Sequence, residues 1–240
     1  MEKKKANPAE IKNNKVVIKT SNLIKDYEIG EFIVRAVDKV DLEIMEGEFI
    51  AIQGPSGAGK TTLLNLLGGL DSPTEGEIFS FGVRISDMSQ ESLTVFRLMN
   101  SGFIFQDFSL ISTLTAEENV MFPMSLLDIE IEQQRKVAVR LLKQVGLGKR
   151  REHLPFQLSA GEKQRVAIVR ALANDPPLIL ADEPTANLDQ QTVIIIQEFF
   201  KNLKDMNKTV IIATHDDYLI DIADRILTFE EGEIRSEEES

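Results

Sequence analysis

The strongest constraint on this chain is the stretch Gly54-Pro55-Ser56-Gly57-Ala58-Gly59-Lys60-Thr61, set between an apolar segment, EFIAIQG, and a leucine-rich run, TTLLNLLGGL. It fits G-x-x-x-x-G-K-[ST], the pattern of a loop that wraps phosphate groups. With average residue usage, a chain of this length meets the pattern by chance about once in a hundred. The chemistry needs a strand before the loop and a helix after it, and both are readable here. Glycines let backbone N–H groups converge on phosphate oxygens where a Cβ would obstruct them. Lys60 supplies a point charge for the β- and γ-phosphates of a nucleotide, and Thr61 offers a hydroxyl to Mg²⁺. The helix after the loop is expected to stop at Gly68-Gly69.

The rest of the chain reads as α/β around that loop. PLILAD (177–182) and TVIIAT (209–214) are short apolar runs suited to a parallel sheet buried on both faces. Between them Ile196, Phe199, Phe200 and Leu203 share one helical face, so strand and helix alternate with crossover helices. Upstream, KVVIKT and EFIVRAV suggest an antiparallel region leading into EFIAIQG. Residues 88–157 read as mainly helical, with Val137, Leu141, Leu142 and Val145 on one face ended by Gly146. Residues 1–15 are Lys/Asn-rich and read as a flexible arm, and the acidic end, 236–240, as a solvated tail.

Composition narrows the class without naming a chemistry. No apolar run approaches the ~18 residues of a membrane span, and the basic start lacks the apolar region of a signal peptide. The chain has no cysteine, which excludes disulfides and cysteine-ligated metals and fits an intracellular protein. Its net charge of −12 argues against a general nucleic-acid binder.

Asp182 and Glu183 follow an apolar strand, at the carboxyl edge of the sheet where α/β proteins bind ligands. Asp182 is suited to hold Mg²⁺ through water, and Glu183 to orient or deprotonate an attacking water. His215 follows TVIIAT and reaches the same edge. Alone it reads as a surface or packing residue. In isolation Gln106 after GFIF is a strand-end hydrogen bonder, Tyr27 a half-buried aromatic, Asp189 an N-cap, and His153 a loop or packing residue. LSAGEKQR (158–165) is a helix start with Ser159 as N-cap and Glu162 closing a capping box.

In this order the motifs resemble those of the ATP-binding subunit of an ABC transporter, over about residues 17–235. GPSGAGKT is similar to Walker A, FIFQD to the Q-loop at Gln106, LSAGEKQR to the signature, LILADEPT to Walker B, ANLD to the D-loop ending at Asp189, and ATHD to the switch histidine at His215. The wording of GPSGAGKTTLLNLLGGLDSPTEGEI and FIFQDFSLISTLTAEENVMFP most resembles the lipoprotein-release and macrolide-export branch.

The resemblance implies a P-loop NTPase fold, with a RecA-like core, an antiparallel β subdomain and an α-helical signature subdomain at about 107–160, all within residues 16–235. It implies ATP and Mg²⁺ bound by Gly54, Ser56, Gly57, Ala58, Gly59, Lys60, Thr61 and Thr62, with Tyr27 on adenine. Thr61, Gln106 and Asp182 would hold the metal. Glu183 would be the catalytic base, helped by His215 and Lys60. Ser159, Gly161, Glu162 and Asp189 would act on the ATP of a second copy. The implied partners are a membrane permease and a homodimer mate, with the chain cytoplasmic, on the inner face of the cell membrane.

The signature departs from L-S-G-G-Q: Ala160 stands for the first glycine, and Glu162 puts a charge where a neutral Gln is usual. Two rival readings are a soluble ABC ATPase acting on DNA or ribosomes and a non-hydrolysing regulatory subunit. The short interval from Gln106 to Ser159 and the lack of cysteine weigh against the first. The intact Lys60, Asp182, Glu183 and His215 weigh against the second.

Overall fold

The structure, a computed structural model, describes residues 15–239. The flexible arm expected at 1–15 therefore falls, but for Lys15, outside the described residues.

Two long strands open the chain: β1 (Val16–Ile29) and β2 (Phe32–Met45), paired antiparallel from Val16↔Met45 to Ile29↔Phe32 with several register shifts. β4 (Glu75–Ser80) and β5 (Val83–Arg84) complete a four-stranded antiparallel sheet in the order β2-β1-β4-β5. Sequence runs that read as short are thus the ends of one long, bulged hairpin, and bulges break the alternation that would reveal its length.

The second sheet is built on β3 (Phe49–Gln53), β6 (Ser101–Ile104), β7 (Leu178–Asp182), β8 (Thr209–Ala213), β9 (Arg225–Glu230) and β10 (Glu233–Glu239). Its order is β10-β9-β3-β8-β7-β6, parallel except for β10. The central strands show why they read as unbroken apolar runs. Ile50, Ile52, Leu178, Leu180, Ile211 and Ala213 face one core, whereas Phe49, Ala51, Ile179, Ala181, Val210 and Ile212 face another. A strand buried on both faces has no polar side to show.

The first core is shared with the antiparallel sheet and with α1 (Lys60–Leu67), which ends at Gly68 as expected. The second core is closed by α6 (Gln190–Asp205), through Ile196, Phe200 and Leu203, and by Leu219 of α7 (Asp217–Asp221). α2 (Gln90–Asn100) packs Leu93 and Phe96 into the first core. A third core joins α3 (Ala116–Ser125), α4 (Ile131–Gln144) and α5 (Ala160–Ala171). It is a helical layer with its own packing, and it includes Leu141, Leu142 and Val145 of the face read from sequence. No helix among the described residues is long and apolar enough to cross a membrane.

The acidic end departs from the solvated tail expected. Up to Glu239 it is β10, paired to β9 with Ile234 packed against the first core. Glu237 and Glu238 are exposed on this edge strand, where charge discourages further pairing. In sequence, a charged edge strand and a solvated tail look alike.

Candidate active site

The phosphate loop leaves β3 at Gly54 and enters α1 at Gly59, the N-cap, whose φ is 103°. A Cβ on Gly54 would lie 1.9 Å from the Phe229 carbonyl oxygen, and one on Gly59 2.1 Å from that of Ala36. Only glycine lets the loop pass this close to its neighbours. α1 has no side-chain cap and no acid in its first turn, which leaves its first amides and positive dipole end for an external anion. Lys60 is buried, and its Nζ donates to the carbonyls of Gly54 (2.6 Å) and Pro55 (3.0 Å). An ammonium has three protons, so one remains for an anion.

The loop forms one wall of a 740 Å³ cleft whose lining includes Ser56, Gly57, Ala58, Gly59, Lys60, Thr61 and Thr62. Opposite lie the carboxyl ends of β7 and β8. Thr61 Oγ1 donates to Asp182 Oδ2 at 2.6 Å, which brings a hydroxyl and a carboxylate together although 121 residues separate them. Next to Asp182, the amide of Glu183 donates to the Ala213 carbonyl (2.8 Å) and ties the two strand ends. Glu183 has φ 45°, a left-handed backbone that for a non-glycine persists only where the surroundings hold it. Its Oε1 is 3.3 Å from His215 Nε2. Burial raises the Glu183 carboxyl above the ordinary glutamate value of 4.5, while the His215 and Lys60 charges oppose that rise. The Glu183 side chain is 16% exposed and that of His215 60%, so the pair has one dry member and one facing solvent.

Two further elements close the cleft. Gln106 enters it just beyond β6, and Tyr27 with Ala36 comes from the antiparallel sheet. Tyr27 is held rigidly: its hydroxyl donates to Asp71 Oδ2 (2.8 Å), and the Lys25 ammonium, itself bonded to Asp71 Oδ1 (2.7 Å), lies 4.9 Å from the ring centroid. The oxygens of Thr61, Asp182 and Gln106 in one cleft make a hard donor set suited to Mg²⁺. That ion takes one or two protein carboxylates and completes its shell with phosphate and water. No cluster of three or more His, Cys, Asp or Glu that could hold a metal alone occurs among the described residues.

Ser159, Gly161, Glu162 and Asp189 are not among the residues lining this cleft. Ser159 caps α5, accepting from the Glu162 amide (3.2 Å), while the Glu162 carboxylate accepts from the Ser159 amide (2.9 Å) and from Arg150 Nε (3.2 Å). Asp189 caps α6 by accepting from the amide (3.0 Å) and hydroxyl (2.8 Å) of Thr192. Gly161 has a reason within its own chain that sequence reading missed. It is buried, and a Cβ there would lie 2.4 Å from Thr192 Oγ1, so a glycine is needed to seat α5 against α6. His153 sits in a loop, its ring 3.1 Å from an Arg150 guanidinium nitrogen.

The cleft also takes in Ala36, Thr185, Ala186, Asn187, Val193 and Asp216, which sequence reasoning did not single out. Thr185, Ala186 and Asn187 lie in the turn between the two acidic motifs, so their position follows from Glu183 and Asp189. Asp216 follows His215 directly and caps α7.

A strand–loop–helix phosphate cradle, a hydroxyl–carboxylate pair and a carboxylate–imidazole pair at one sheet edge define a P-loop nucleotide hydrolase. Residues 37–186 match the ABC transporter family. The chain is 41% identical to the lipoprotein-releasing system ATP-binding protein LolD of Legionella pneumophila, over 94% of this chain and all of that protein. It is 43% identical to the macrolide export ATP-binding/permease protein MacB of Chlorobaculum tepidum, over 90% of this chain and 33% of that much longer one. Among solved structures, the ATP-binding cassette MJ0796, a dimer bound to ADP and Pi, superposes with a TM-score of 0.88 at 44% identity, covering 92% of this chain and 98% of that one. The chain belongs to the ABC transporter ATP-binding family: it is an ATP-binding, ATP-hydrolysing subunit with the P-loop fold.

Proposed function

We propose that this chain binds ATP with Mg²⁺ in the cleft, hydrolyses it within an ATP-dependent homodimer, and thereby drives a separate membrane permease from the inner face of the membrane. The carrying observation is the pairing at the sheet edge, with Thr61 on Asp182 at one side of the Lys60 loop and Glu183 on His215 at the other. Lys60 and the first amides of α1 hold the phosphates, and Tyr27 offers its ring to the base. Thr61, Asp182 and Gln106 hold Mg²⁺, which supplies positive charge to the phosphate oxygens. Glu183 takes a proton from water as its oxygen attacks the γ-phosphorus and the bond to the β-phosphate oxygen breaks. His215 keeps Glu183 oriented and reaches the departing phosphate.

Ser159, Glu162 and Asp189, held outside their own chain's cleft, fit a role toward a second copy's ATP, with Gly161 seating α5 behind them. The dimer of the related cassette supports that arrangement. A permease partner is supported by MacB, named as ATP-binding and permease protein in one chain, and by the absence of a spanning helix among the described residues.

The test is Mg²⁺-dependent turnover of the purified chain beside Glu183→Gln. Loss of the base is expected to slow hydrolysis on the order of 100-fold or more with ATP still bound. The pH profile gives the sign. A carboxyl raised above 4.5 protonates earlier on acidification, so wild-type turnover falls at a higher pH than an ordinary glutamate would give. Undiminished turnover in Glu183→Gln would reject the assignment.

A further inference from the structure

Arg170, in the last turn of α5, reaches back to the segment that follows β6. Its Nη1 donates to the Ser109 carbonyl (2.5 Å) and its Nη2 to the Phe108 carbonyl (3.0 Å). Phe108 and Ser109 have left-handed backbones, φ 65° and 45° respectively, a region that a phenylalanine avoids unless its surroundings impose it. The same turn is closed from inside: Ser109 Oγ donates to Asp107 Oδ1 (2.6 Å), and its amide to the Asp107 carbonyl (2.8 Å). The Arg170 side chain is half-buried, and burial lowers its pKa against the nearby Asp107 charge. Two charge-assisted bonds from one guanidinium to adjacent carbonyls hold this left-handed turn in place.

The turn begins one residue after Gln106. Segment 105–111 is a wall with a cavity on each side. Gln106 faces the ATP cleft, while Phe105, Ser109 and Ile111 line a second cavity of 360 Å³ together with Arg170. We infer that Arg170 is a positioning residue for Gln106: by holding the carbonyls of Phe108 and Ser109 it fixes where the Gln106 amide stands in the cleft. This rests on the proposed role of Gln106 at Mg²⁺. Arginine suits the task because its planar fork meets two acceptors at once, whereas a lysine ammonium has no such fixed geometry.

The test is the Mg²⁺ concentration giving half-maximal ATP hydrolysis at saturating ATP, in wild type, Arg170→Met, Arg170→Lys, Gln106→Ala and the Arg170→Met/Gln106→Ala double variant. Residues supporting a metal ligand change affinity by about tenfold or more when lost. Arg170→Met is therefore expected to raise the half-saturating Mg²⁺ about tenfold, while ATP binding in EDTA stays as in wild type. Arg170→Lys is expected to shift it less, and the double variant no further than Gln106→Ala alone.

A shift in Gln106→Ala but none in Arg170→Met would overturn the Arg170 role alone, as would full additivity in the double variant. No shift in Gln106→Ala would overturn the reading of Gln106, and the inference with it. If Arg170→Met does not fold, Arg170→Lys decides: a raised Mg²⁺ requirement supports the role, and an unchanged one rejects it.

Discussion

Two helices of this chain, α1 and, under the proposed dimer, α5, begin where a phosphate would be met, and they begin in opposite ways. α1 starts at a left-handed glycine with no side-chain cap and no acid in its first turn. α5 starts with a closed capping box, Ser159 and Glu162 satisfying one another's amides. At α1 the positive helix end is left for a ligand, with Lys60 beside it. At α5 it is already neutralised from within, and the Glu162 carboxylate is drawn further by Arg150. The first is a complete cradle within one chain. The second is stable without a ligand, and under the proposed dimer it meets a nucleotide only when another copy brings one.

That contrast breaks in ways that can be measured. The largest effect belongs to the open helix. Lys60→Ala removes the charge beside α1, and a lost charge-assisted bond of about 2–3 kcal/mol weakens ATP binding roughly 30- to 150-fold, read by calorimetry with a fold check by circular dichroism. ATP affinity within a few-fold of wild type would mean that the amides of α1 suffice. At the closed helix, Ser159→Ala loses a cap and should cost about 1 kcal/mol of stability, read by denaturant unfolding. ATP affinity of the monomer should stay unchanged, because Ser159 lies outside its own cleft.

The smallest effect is that of Glu162→Gln, which keeps the box geometry and removes the charge. ATP-driven dimerisation is expected to strengthen by about threefold, which corresponds to about 0.7 kcal/mol. Stability carries a second signature. Hydrogen bonding from the Ser159 amide lowers the Glu162 carboxyl below 4.5, so the folded value lies below the unfolded one. Its contribution is full above that range and lost as pH falls through the lowered value. Glu162→Gln should lack that acid loss, and unaltered dimerisation would make the carboxylate a capping detail only.

What was legible in the sequence follows from where the constraint acts. Gly54 through Thr61, with β3 before and α1 after, are fixed by local sterics and by the phosphate the loop must meet, so the letters alone carry them. β7 and β8 were legible because burial on both faces leaves unbroken apolar runs. The reason for Gly161 was not legible, since its neighbour Thr192 lies 31 residues on and meets it only through the packing of α5 on α6. Nor was Arg170, whose partners are backbone carbonyls 61 and 62 residues away. β10 was not legible either, because glutamates on an edge strand and in a free tail obey the same rule of exposure. Tertiary contact decided each of these, and one-dimensional spacing does not encode it.

The central claim, that a second copy's α5 completes the cleft, is tested most directly by light scattering of the Glu183→Gln chain with saturating ATP. The expected result is a doubling of the 26.9 kDa chain mass on adding ATP, abolished when Ser159→Arg is added to the same chain although each copy still binds ATP. A Glu183→Gln chain that stays monomeric, or a dimer indifferent to Ser159→Arg, would contradict it.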